Sequence, residues 1–135
     1  MQLNASSIAK LRKVHPDLVK VVNRAAVIIN DPSFGFVITC GIRTIEEQRK
    51  LLAAKATRTM RSRHLPGKKT GFSHAVDFAV TLDGKVKWDW PLYARLAKIV
   101  KQAARDVGVT IEWGGDWSSF KDGPHYQLPW AKYPG

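Results

Sequence analysis

The sequence predicts an α+β fold: a single domain, residues 1–135, with helices packed on a mostly antiparallel sheet. Three observations carry this. Helical and strand patterns alternate in the order αα-β-α-ββ-α-β-β, and Asp83-Gly84 forms a two-residue hairpin turn between adjacent strands. The chain has 135 residues, enough for one buried core but not for a second module. Its composition, 44% hydrophobic and 24% charged, is that of an ordinary globular protein and excludes disordered and fibrous classes.

Ser6 or Ser7 is the expected N-cap of a short first helix running to Val14. Pro16 suits the first turn of a second helix, "PDLVKVVNRAAVIIN", whose Leu18, Val21, Val22, Ala25, Ala26 and Ile29 recur at helical spacing. Asp31-Pro32 ends it, and "GFVITCGI", rich in β-branched residues, reads as a strand delivering Arg43 at its end. Thr44, with Glu47 three residues on, forms a capping box opening "IEEQRKLLAAKA". Residues 57–73 carry Arg58, Arg61, Arg63, Lys68 and Lys69 with two glycines and a proline, and read as a long loop. "HAVDFAVTL", the Asp83-Gly84 turn and "KVKWDW" make the hairpin. Pro91 opens "PLYARLAKIVKQAARDVG", which Gly108 closes. "VTIEWGG" and "HYQLPW" supply the last two strands.

Charge and cysteine usage narrow the function classes. With 22 Lys and Arg against 11 Asp and Glu, the net charge of +11 predicts attraction to a polyanion: nucleic acid, anionic lipid or acidic bacterial wall. No apolar run approaches the roughly 20 residues of a membrane span, so no stable membrane insertion is expected. "MQLNASSIAKLRKVHPDL" has no signal-peptide pattern, so cytoplasmic synthesis without an export signal is expected. Cys40 is the only cysteine, which excludes an intrachain disulfide and a thiolate zinc cluster. Any metal must then be held by His with Asp or Glu.

"SRHLPGKKTGFSHAVDF" and "FKDGPHYQ" concentrate such residues. Hydrolytic zinc usually takes three protein ligands and leaves one position for water. His15, beside Pro16 at a helix boundary, reads as a surface residue. His74 and Asp77 are three apart, so on a strand they point to opposite faces. His64, arriving from a loop, is free of that restriction, and His64, Asp77 and His125 are the preferred ligands. His74 is then structural, unless a bulge reverses the parity. Asp122, three residues before His125, can bring a carboxylate over the metal as a general base. Glu112 competes for that role, and Asp116 is a weaker rival.

"SRHLPG…HAVD" followed by "WGGDW…FKDGPHYQ" resembles the zinc peptidases of the D-alanyl-D-alanine carboxypeptidase (VanY-like) type, and more narrowly phage endolysins acting as L-alanyl-D-glutamate peptidases. The pattern S-x-H-x-x-G-x-A-x-D falls on Ser62, His64, Gly67, Ala75 and Asp77, with six extra residues, Lys68 to Ser73, before His74. The resemblance spans about residues 36–128. It implies a hedgehog-like fold with the zinc site at a sheet edge or cleft. It implies Zn2+ held by His64, Asp77 and His125, Asp122 as base, and Arg43 in "GIRT" contacting substrate and the developing oxyanion. Ser62, within the pattern, is expected beside the substrate. It further implies an enzyme with bacterial peptidoglycan as substrate, no nucleic acid as partner and no separate wall-binding module. Such an enzyme is expected to be a monomer held in the host cytoplasm until a separate membrane pore (a holin) releases it.

Of the five tryptophans, Trp113 and Trp117 flank the motif loop and are the candidates to line the cleft, although tryptophan more often packs in cores. Gly114-Gly115 lacks the context of a phosphate cradle. Lys10, Arg12, Lys13, Lys98, Lys101 and Arg105 read as solvated helix faces that also suit an anionic wall. The rivals are a D,D-carboxypeptidase with the same metal site, a basic nucleic-acid-binding domain with steeply salt-dependent binding, and a fold with purely structural zinc.

Overall fold

The computed structural model describes residues 1–55 and 62–135. Its elements follow the expected order: α1 (Ala5–Lys10), α2 (Pro16–Ile28), β1 (Phe34–Cys40), α3 (Ile45–Ala53), β2 (Ala75–Leu82), β3 (Lys85–Lys87), α4 (Trp90–Val107), β4 (Glu112–Trp113) and β5 (His125–Gln127), with a 3-10 turn at Gly114–Asp116. The expected loop positions Arg58 and Arg61 lie outside the described residues.

Caps account for most boundaries. Asn4, not Ser6 or Ser7, caps α1: its Oδ1 accepts from the Ser7 N–H at 2.8 Å. Ser7 is buried instead, and its hydroxyl accepts from Ile38 N–H at 2.9 Å, tying α1 to β1. His15 Nδ1 caps α2 by accepting from Asp17 N–H at 3.0 Å, so the ring is a framework group rather than a plain surface residue. The Thr44/Glu47 capping box opens α3. Gly108, at φ 72°, closes α4 in the left-handed conformation that glycine adopts without a Cβ penalty.

The sheet is antiparallel, in the order β1-β2-β5-β4, with β3 paired to the far end of β2. Strand alternation gives it two unlike faces. Phe34, Phe36 and Ile38 from β1, Val76, Phe78 and Val80 from β2, Tyr126 from β5 and Trp113 from β4 belong to one buried cluster with Leu18, Val21 and Val22 of α2 and Leu96 and Val100 of α4. The opposite side chains, from Asp77 to Glu112, are left for chemistry. β4 is shorter than "VTIEWGG" suggested, because the chain turns at Gly114 and Gly115.

Candidate metal centre

The sheet register assembles the site. Asp77 on β2 pairs with Cys40 on β1 and with His125 on β5, so the three residues form one row across adjacent strands. The register shift between Ile38 and Cys40 brings Cys40 into this row. His64 is carried in by the preceding loop, whose backbone is pinned by Arg43 N–H to His64 O (2.8 Å) and by His64 N–H to Ser62 Oγ (3.1 Å). Asp77 Oδ1 lies 3.2 Å from His64 Nε2 and 3.1 Å from His125 Nδ1. Among the described residues, ligand-type atoms of Cys40, His64 and Asp77 fall within 4.8 Å of one another, and so do those of Asp77, Asp122 and His125.

The proton arrangement of both rings favours a cation. His64 Nδ1–H donates to the Gly41 carbonyl at 2.8 Å, so the buried Nε2 is the nitrogen turned to Asp77, where it can take a proton or a metal ion. His125 Nε2–H donates to Gln127 Oε1 at 2.8 Å, leaving Nδ1 aimed at Asp77. Two nitrogen lone pairs facing one carboxylate oxygen repel unless a proton or metal ion lies among them. Burial alone pulls the His64 pKa down, but Asp77 and Cys40 beside it outweigh that and push it up to about 10. Burial raises Asp77, and the two imidazoles overcome it, holding the carboxyl well below its ordinary range. Two imidazoles and a carboxylate suit zinc or a similar divalent ion. Cys40, excluded at the sequence level from a thiolate cluster, stands at the edge of this group, its Sγ 3.6 Å from His64 Nδ1.

Asp122 arrives on the loop before β5. Its N–H donates to Gly114 O at 3.0 Å and its carbonyl accepts from His125 N–H at 3.2 Å. A Cβ at position 114 would run into the Asp122 carbonyl, which is why glycine stands there; Gly115 lies against the Trp113 ring for the same reason. Burial and the Asp77 charge raise the Asp122 pKa, with the nearby imidazoles and Arg43 opposing. Of its rivals, Glu112 accepts from Gln127 Nε2–H at 3.3 Å and Asp116 pairs with Lys101 at 2.7 Å. Arg43 is held by Nη1–H to Gln48 Oε1 at 2.8 Å, with Nη2 3.6 Å from Cys40 Sγ. The Trp117 ring sits 5.2 Å from that of His125. Trp113 is in the core, with Nε1–H donating to Gly123 O at 2.7 Å, so it braces the loop from below.

His74 keeps the face expected from strand parity, away from Asp77. It packs on His15 and Tyr133 (ring centroids 5.4 and 6.4 Å), with Nε2 3.3 Å from Thr70 Oγ1. Burial, followed by the charges of Arg63 and His15, lowers its pKa to about 4. The extra residues 68–73 fold into a turn closed by Gly67 N–H to Phe72 O (2.9 Å) and Gly71 N–H to Gly67 O (2.8 Å). Ser73 then anchors to Lys13 and His15. Arg63, read as part of a basic loop, is buried and donates to Leu128 O and Tyr133 O while covering the Trp130 ring. Gly41 and Gln127 were not recognised as site residues. Gln127 shares the His125 face at a spacing of two, a signal the sequence did contain.

Comparison with known proteins gives the chain's family. Residues 1–127 match the family model described as phage L-alanyl-D-glutamate peptidase. The chain is 42% identical over 92 residues to the L-alanyl-D-glutamate peptidase of Listeria phage A118, covering 68% of this chain and 30% of that protein. It is 28% identical over 134 residues to the L-alanyl-D-glutamate peptidase of Escherichia phage T5, covering 96% and 90%. Among solved structures, the Serratia marcescens L-Ala D-Glu endopeptidase ChiX superposes with a TM-score of 0.85 at 41% identity, covering 100% of this chain and 95% of that one.

Proposed function

This chain belongs to the phage L-alanyl-D-glutamate peptidase family, and on that premise we propose that it is a zinc-dependent peptidoglycan hydrolase cutting the L-Ala–D-Glu bond of the stem peptide. The observation that carries the metal is the pair of imidazoles, each locked by its far nitrogen and turning the near one to a single carboxylate oxygen. His64 Nε2, Asp77 and His125 Nδ1 would hold the ion. When bound, zinc supplies Lewis-acid polarisation of a carbonyl and brings the pKa of water down to about 7.

The remaining steps belong to the chain. Asp122, raised by burial and by Asp77, takes a proton from the attacking water and returns it to the leaving amine. Arg43, steadied by Gln48, donates to the oxygen on which charge develops. Trp117 walls the substrate side beside His125. Ser62, through the His64 N–H, and Trp113, through Gly123, serve the site by holding its loops. Arg43→Ala should lower turnover on the order of 10²–10³-fold while the zinc content stays at the parent level. Unchanged turnover would remove Arg43 from this role.

Zinc uptake should depend on pH. In the metal-free protein the imidazole of His64, with its pKa near 10, carries a proton that the ion must displace. Apparent zinc affinity should therefore rise at least about tenfold per pH unit below that value. Chelator competition at about pH 6, 7 and 8 reads it, and a flat profile contradicts the assignment.

The deciding test of the function is metal analysis of the purified protein combined with mass spectrometry of digested muropeptides. One zinc per chain and products ending at L-Ala support the reading. Loss of terminal D-Ala instead would replace it with a D,D-carboxypeptidase. The positive charge suits the anionic wall. As an endolysin, the protein would act as a monomer and pass from the host cytoplasm through a separate pore; among the described residues no helix is long and apolar enough to cross a membrane.

A further inference from the structure

We infer that Glu112 is a positioning residue of the metal centre, acting through Gln127 to decide which nitrogen of His125 faces the ion. The inference rests on the reading of His125 as a ligand. It deepens that reading by assigning a role to a carboxylate that the proton-transfer chemistry leaves unused.

The argument runs along one chain of hydrogen bonds. Glu112 and Gln127 are cross-strand partners on β4 and β5, on the face that also carries His125 and Asp77. Glu112 Oε2 lies 3.3 Å from Gln127 Nε2, and Gln127 Oε1 lies 2.8 Å from His125 Nε2. A carboxylate can only accept, so the amide must turn its NH2 towards Glu112. Its carbonyl oxygen then faces the ring and can only accept, which places the His125 proton on Nε2. Nδ1 is left as the lone pair, and Nδ1 is the atom 3.1 Å from Asp77 Oδ1. Reversing the amide would set its oxygen against the Glu112 carboxylate, two acceptors without a proton between them.

His64 reaches the opposite result by another route, since its Nδ1 is fixed by the Gly41 backbone carbonyl and its Nε2 faces the site. A backbone carbonyl has no alternative orientation, whereas a glutamine amide has two of nearly equal shape. The His125 side therefore needs a third group to impose direction, and Glu112 is that group. Gln127 is 7% exposed, so water has little access to supply a substitute partner.

The test uses the full chain and inorganic zinc, with affinity read by chelator competition rather than by activity. Glu112→Gln preserves shape but lets the Gln127 amide take either orientation, and it should weaken zinc binding about 10–100-fold, with the melting temperature of the metal-free protein unchanged. The exchanged pair, Glu112→Gln with Gln127→Glu, restores a one-way relay, because the carboxylate now accepts both from His125 and from the amide at 112. It should recover affinity to within about threefold of the parent. A role in packing alone predicts no such recovery. Zinc binding by Glu112→Gln within about twofold of the parent, or no recovery in the exchanged pair, overturns the inference while leaving the zinc enzyme intact. A parent chain that binds no zinc overturns both.

Discussion

Asp122→Asn should give a folded protein that still binds zinc and no longer cleaves peptidoglycan, with turnover down on the order of 10²–10⁴-fold. The substitution keeps the shape of the side chain and removes its ability to take a proton. The loop should survive because its backbone holds it: Asp122 N–H to Gly114 O and His125 N–H to Asp122 O remain. The sign of the pH dependence follows from the same residue. Burial and the Asp77 charge raise its pKa, and a base works only when deprotonated. Activity should therefore fall as pH drops through the raised pKa of Asp122, and that limb should vanish in the variant. Muropeptide release by Asp122→Asn at the parent rate would assign the proton transfer elsewhere.

Asp77→Asn should abolish both zinc binding and hydrolysis. Asp77 is the acidic member of the proposed donor set, and its Oδ1 is the point on which both imidazoles converge. The loss in affinity should exceed the roughly 10–100-fold typical of removing an outer hydrogen-bond partner, because the amide brings no charge to the ion. The fold should persist: without the carboxylate, burial, the largest influence on His64, favours the neutral ring over an unpaired buried charge. Circular dichroism matching the metal-free parent, with no zinc retained after dialysis, is the expected result. Retention of one zinc per chain would show that the ion is held elsewhere.

Local patterns made most of the architecture legible. The 3.6-residue recurrence of Leu18 to Ile29, the Thr44/Glu47 box and the Asp83-Gly84 turn (φ 51° and 79°) each act within a few residues, so sequence and structure coincide there. Where a residue had two possible employers, the sequence misled. Ser7 had the chemistry of an N-cap, but a contact 31 residues away claims its hydroxyl, and Asn4 caps instead. "VTIEWGG" had strand propensity, but the approach of Gly114 to the Asp122 carbonyl turns the chain early.

By itself the sequence determined the family, the α+β order, and which of His64 and His74 could share a face with Asp77, because strand parity is a local rule. The tertiary structure alone decided what surrounds those groups. The Cys40–Asp77–His125 row depends on a register shift between two strands, and the Gly41 and Gln127–Glu112 anchors depend on segments brought together from across the chain. Which imidazole nitrogen is left bare is set by the partner of the other nitrogen, and those partners are chosen by sheet pairing and loop path, not by neighbours in sequence.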